Sequence, residues 1–174
     1  KVWTKTWQIA GTQAQIPNAG DWLTADFGPE TIVCVRGDDG QVRAFYNVCQ
    51  HRAMPVVTGE QGHSKRLVCP YHGWSYDLAG KLKVVPDEAD FVQGSPCGKL
   101  NLIEVKCETW AGFVWINMDN DAAPLRQFMG LWGLAPEIVK KLEESGVIQR
   151  RVAILDAQKV NAGVTVFVSI KTDQ

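Results

Sequence analysis

The sequence predicts an all-β fold, an antiparallel β-sandwich interrupted by two Cys/His-bearing loops, with a short helical segment and extra strands towards the C-terminus. Three observations predict it. Asp21–Phe27 and Leu102–Glu108 alternate apolar and polar residues with the period of two of a half-buried strand. Turn-forming clusters (Gly28-Pro29, Gly37-Asp-Asp-Gly40 and Asp77-Leu-Ala-Gly80) punctuate the short apolar segments. Helical spacing is confined to the stretch after Pro124.

In chain order, Trp7–Ala10 is a short apolar strand and Asp21–Phe27 a half-buried one, broken by Gly28-Pro29. Thr31–Arg36 and Gln41–Tyr46 form a hairpin across the Gly37–Gly40 turn, whose residues tolerate positive φ. The tryptophans and tyrosine of this region read as core and edge packing, not as a stacking platform for bases. Leu67-Val68 and Trp74–Tyr76 are short β segments, so that both Cys/His loops are expected to cap strand pairs. His63, in the polar Gly62–Arg66 stretch, reads as a surface histidine in a loop. The carboxylates of Pro86–Asp90 read as a solvated loop, because no apolar run surrounds them. Gly112–Asn117 reads as a buried strand at the centre of the sandwich. Beyond it, Leu125–Met129 and Ala135–Glu144 have helical spacing, with Pro136 tolerated in a first turn and Gly146 as a stop. Val147–Leu155 and Gly163–Ile170 read as two more strands. The resulting division is a β domain over 1–123, a helical linker over 124–146 and strands over 147–174.

Size and composition bound the function. A chain of 174 residues, 45% apolar and 21% charged, can bury a real core. Its net charge of −1 supplies no basic field, which argues against a nucleic-acid partner. No run approaches the roughly 18 apolar residues of a membrane span. The five cysteines fit a reducing, cytoplasmic setting better than secretion, because three remain beyond Cys49 and Cys69 and cannot all pair. Those three, Cys34, Cys97 and Cys107, read as small thiols rather than ligands.

The chemistry is concentrated between Cys49 and His72. Cys49-Gln50-His51 and Cys69-Pro70-Tyr71-His72 each offer a thiolate and an imidazole within a tight local spacing. Two sulfur and two nitrogen ligands suit either one tetrahedral zinc or a 2Fe-2S cluster with histidines on one iron. The spacing favours the cluster. A zinc knuckle usually grips one ion with ligands two to four residues apart. Cys-x-His and Cys-x2-His instead send sulfur and nitrogen from facing loops to two irons, Cys49 and Cys69 to one, His51 and His72 to the other.

The run Cys49-Gln-His51-Arg52, followed by Cys69-Pro-Tyr-His72-Gly-Trp74-Ser-Tyr76-Asp77-x-x-Gly80, closely resembles the Rieske domain of the alpha (large) subunit of Rieske non-haem iron aromatic-ring-hydroxylating oxygenases. The resemblance runs from about Trp7 to about Gly130, and the stretches Val42–Val48 and Trp110–Asp119 fit its flanks. Respiratory Rieske proteins carry an extra disulfide-bonded cysteine in each loop. Met54 and Tyr71 stand at those positions here, and Trp74 replaces the serine whose hydroxyl bonds a cluster sulfur. Fewer hydrogen bonds to sulfur imply a potential low in the Rieske range of about −150 to +300 mV. Where the family commonly has glycine after His-Arg, this chain has Ala53, which speaks against a left-handed backbone there.

The resemblance implies a Rieske-type sandwich that passes electrons from a ferredoxin or flavin reductase to a mononuclear Fe(II) in a dioxygenase or monooxygenase. It also implies a homotrimer or larger oligomer of the full subunit. Cys49, His51, Cys69 and His72 would hold the cluster, and Arg52, Trp74 and Tyr76 would surround it and tune its potential. The catalytic iron needs two histidines and a carboxylate. The chain's only histidines are His51, His63 and His72, so that site is expected in a further catalytic domain and no catalytic residue is assigned here. A free-standing Rieske-type ferredoxin is the alternative, against which the long 81–120 segment and the appended helix and strands count. A zinc-stabilised binding module is the third reading.

Overall fold

The computed structural model describes residues 2–132, Asp87 excepted. The second helix and the two strands expected beyond residue 133 lie outside the described residues. Among the described residues ten strands occur: β1 (Gln8–Thr12), β2 (Asp21–Phe27), β3 (Glu30–Arg36), β4 (Val42–Tyr46), β5 (Gln61–His63), β6 (Leu67–Val68), β7 (Ser75–Tyr76), β8 (Leu82–Val84), β9 (Glu104–Trp110) and β10 (Phe113–Asn117), followed by helix α1 (Leu125–Trp132). They form an antiparallel seven-stranded sheet in the order β1-β10-β9-β4-β3-β2-β5 and a three-stranded sheet in the order β6-β7-β8. Lys1–Phe128 forms one compact unit.

The architecture is the expected all-β sandwich, and β3 is its pivot. Its residues alternate between two cores. Val33 and Val35 join Trp22, Phe45, Leu67, Tyr76 and Leu82, whereas Ile32 and Cys34 join Leu23, Ala44, Val105, Val114 and Ile116. Successive side chains on a strand point to opposite faces, so a strand covered on both faces needs apolar residues at every position. That is why Ile32-Val-Cys-Val35 is an unbroken apolar run, each residue fully buried. The small β6-β7-β8 sheet, which carries the second Cys/His loop, contributes Leu67, Tyr76 and Leu82 to the first core.

Four sequence expectations change. The start of β2 is not half-buried, because Trp22 enters one core and Leu23 the other. Part of the polar stretch before Leu67 is strand: β5 pairs with β2, with Gly62 opposite Trp22. Glycine is needed there because a Cβ would overlap the Trp22 ring. β10 is not central. It lies between edge strand β1 and β9, burying Val114 and Ile116 while Phe113 stays exposed. Finally, only the second Cys/His loop caps a strand pair, β6–β7. The first leaves β4, whose partners are β3 and β9, and leads to β5 on the far side of β2. Among the described residues, no helix is long and apolar enough to cross a membrane.

Candidate metal centre

Two six-residue loops of different sequence close with the same backbone bonds. In Cys49–Met54, the Cys49 N–H donates to the Met54 carbonyl (2.8 Å) and the Ala53 N–H to the Cys49 carbonyl (3.0 Å). In Cys69–Trp74, the Cys69 N–H donates to the Trp74 carbonyl (2.9 Å) and the Gly73 N–H to the Cys69 carbonyl (3.0 Å). Such a closure needs a left-handed residue at the fifth position. Gly73 supplies it at φ +71°, and Ala53 supplies it at φ +56°. The expectation that Ala53 avoids this conformation is therefore wrong: the closing bonds impose it despite the Cβ.

What positions the first loop is Asn47, which is only 5% exposed. Its Oδ1 accepts the N–H groups of Val56 (2.9 Å) and Val57 (3.0 Å), and its Nδ2 donates to the Val57 carbonyl (2.9 Å). The loop is thus tied shut at its base by one side chain. Sequence reasoning passed over Asn47, although a short amide at a strand end is the residue type that makes such local bonds.

The structure brings Cys49, His51, Cys69 and His72 to one end of the first core. Both cysteines are 2% exposed, belong to the first core and form no disulfide. His51 and His72 are exposed, with ring centroids 4.6 Å apart and planes at 66°. The four donors are therefore layered, sulfur inside and nitrogen outside. The arrangement suits a group with two metals, each taking two protein ligands.

The neighbours differ in what they touch. Tyr76 is fully buried. Its hydroxyl accepts the Gln50 N–H (3.1 Å) and lies 3.4 Å from Cys49 Sγ, so its own proton is free to point at the sulfur. Burial, then Cys49, pushes the Tyr76 hydroxyl well above its ordinary value, which keeps that proton in place. Burial likewise raises the Cys49 thiol, against the Tyr76 hydrogen bond that lowers it. Trp74, 3% exposed, stacks on His51 with centroids 4.8 Å apart. Arg52 is exposed; partial desolvation first, then the charges of His72 and Arg52, lower the His51 imidazole. His63 is apart from this group, an exposed residue whose Nδ1 pairs with Asp21 Oδ1 at 2.8 Å. Of the other cysteines, Cys34 is buried in the second core, where the neighbouring Cys107 thiol, then burial, raise it strongly, and Cys97 packs against the first core.

Residues 6–106 match the family model described as the Rieske [2Fe-2S] domain. The chain belongs to this family. A Rieske domain binds a 2Fe-2S cluster. The chain is 34% identical over 130 residues to the biphenyl 2,3-dioxygenase alpha subunit of Rhodococcus jostii strain RHA1, covering 75% of this chain and 28% of that subunit. A solved naphthalene 1,2-dioxygenase with bound phenanthrene matches with a TM-score of 0.70 at 36% identity, covering 77% of this chain and 31% of its own. A quaternary ammonium Rieske monooxygenase, described in terms of carnitine oxidation and inter-subunit electron transfer, matches with a TM-score of 0.68 at 31% identity, over 84% and 38%. The chain thus spans about three-tenths of the length of the curated relatives it matches.

Proposed function

We propose that Cys49 and Cys69 hold one iron of the Rieske cluster, His51 and His72 hold the other, and the chain is the electron-transfer domain of an oxygenase alpha subunit. The observation that carries this reading is the layering of two buried thiols of one core behind two adjacent exposed imidazoles. When bound, the cluster takes up and gives up one electron at a time. The residues of the chain divide the rest of the work. The buried cysteines would shield the cluster from water, and the exposed histidines would present it at the surface, where a partner can approach. Tyr76 directs its proton at Cys49 Sγ and so stabilises negative charge on sulfur. Arg52 adds positive charge beside His51 and favours the reduced state.

The donor is a ferredoxin or flavin reductase, and the acceptor is a mononuclear iron in the catalytic domain of the oxygenase, in a homotrimer or larger assembly. Inter-subunit electron transfer in the quaternary ammonium monooxygenase relative supports that order. Hydroxylation of an aromatic ring is the reaction favoured by the dioxygenase relatives. We place the domain at residues 1–123.

The test is an iron and sulfide assay with low-temperature EPR of the dithionite-reduced protein. Two irons and two sulfides per chain, with an average g clearly below that of all-cysteine 2Fe-2S proteins, support mixed Cys/His ligation. A colourless, EPR-silent protein with one zinc per chain overturns it.

A further inference from the structure

The two imidazoles are held by rings of different character. His51 lies flat against the Trp74 indole, with planes only 6° apart. That indole is 3% exposed, and among the described residues it also meets Phe91 edge-on, 6.1 Å away at 60°. Phe91 itself packs against the first core. A continuous aromatic path thus runs from the core through Phe91 and Trp74 to His51. Among the described residues, the rings against His72 are both exposed: His51, edge-on at 4.6 Å and 66°, and Tyr71, 3.8 Å away, tilted 36° and itself 58% exposed.

Offset stacking at this centroid separation is attractive, and it fixes the plane of a ring as well as its distance. An imidazole that binds metal through one nitrogen still rotates about that bond unless something fixes its plane. We propose that Trp74, backed by Phe91, is a positioning residue that locks the ring plane of His51, leaving His72 the looser of the two nitrogen ligands. The proposal rests on the ligand assignment above and deepens it. Trp74 does not touch the metal in this reading; it acts through His51.

The test uses the whole 174-residue chain, loaded with cluster and reduced, as wild type and as Trp74→Leu, Trp74→Phe, Phe91→Ala and Tyr71→Leu. Two readouts are taken, the nitrogen couplings from pulsed EPR and the rate of cluster loss to a chelator. Wild type is expected to show two distinct imidazole couplings, one sharp and one broad. Trp74→Leu, which keeps apolar volume but removes the stacking face, should lose the sharp coupling and shed its cluster about tenfold faster, the usual scale for removing an outer partner of a metal ligand. Trp74→Phe should restore the sharp coupling, Phe91→Ala should broaden it partly, and Tyr71→Leu should leave it unchanged. Sharp couplings retained in Trp74→Leu overturn the proposal, as does equal broadening in Tyr71→Leu. If Trp74→Leu fails to fold, an unbroadened coupling in Phe91→Ala overturns it instead. A wild-type cluster with no imidazole couplings overturns the ligand assignment itself, a result distinct from loss of positioning alone.

Discussion

Replacing Ala53 by glycine should stabilise the chain. Ala53 sits at φ +56°, held there by the two bonds that close the first loop. A left-handed backbone costs a residue with a Cβ about 1–2 kcal/mol. Glycine removes that strain but brings more freedom to the unfolded chain, which takes back about 0.5–1 kcal/mol. The net gain is about 0.5–1 kcal/mol, a rise of about 1–4 °C in Tm for a chain of this size. Urea unfolding of the cluster-free chain would measure it as a higher midpoint at constant slope. Ala111→Gly is the companion, because Ala111 lies at φ +53° in the turn between β9 and β10, remote in sequence from the cysteines and histidines. Gly73→Ala is the mirror image and should cost a similar amount. If Ala53→Gly lowers stability while Ala111→Gly raises it, the first loop does not rest in its left-handed form, and the likeness of the two loops fails. If both lower it, the strain argument is wrong.

Tyr76→Phe should lower the reduction potential, since a hydrogen bond worth about 1 kcal/mol more to the reduced cluster amounts to about 40 mV for one electron; redox titration followed by EPR checks it. Asn47→Ala should destabilise the chain by about 3 kcal/mol, because it strands two buried N–H groups and one carbonyl at Val56 and Val57; denaturant unfolding measures this. The Asp39 carboxyl is held well below the usual carboxylate range, first by the Arg43 guanidinium, 2.6 Å away, then by the Gln41 N–H. A folded pKa below the unfolded one gives stability that is present above the unfolded value and lost as pH falls towards the folded one. Asp39→Asn should therefore flatten thermal stability against pH below about pH 4, and added salt should shrink the difference, because the pair is exposed.

Most of the frame was legible in the sequence. β2, β3, β4 and β10 could be found because alternation or an apolar run bounded by turn residues survives as a local signal, and the two Cys/His pairs because ligand chemistry restricts spacing. The rest depends on partners distant in the chain. Gln61-Gly-His63 has no alternation of its own, and it is a strand because β2 offers a free edge and Gly62 leaves room for the Trp22 ring. Ala53 looked unsuited to a left-handed turn, and only the closing bonds to Cys49 and Met54 show why it accepts one. Phe91 stands beside a run of exposed carboxylates that reads as loop, and its contact with Trp74 bridges seventeen positions. The core as a whole divides around β3, which no single segment discloses.

The edges of the large sheet bear on solubility. An open strand edge invites another chain to add to it, and proteins blunt such edges with short strands, charge or bulges. β5 is three residues long, and its His63 is tied to Asp21 of the neighbouring strand. β1, at the opposite edge, slips register between Ile9 and Gly11. Neither edge offers a long flat ladder for a second molecule to continue. Concentrated solutions of this domain should therefore resist fibril-like stacking, and association between copies is left to their side-chain surfaces.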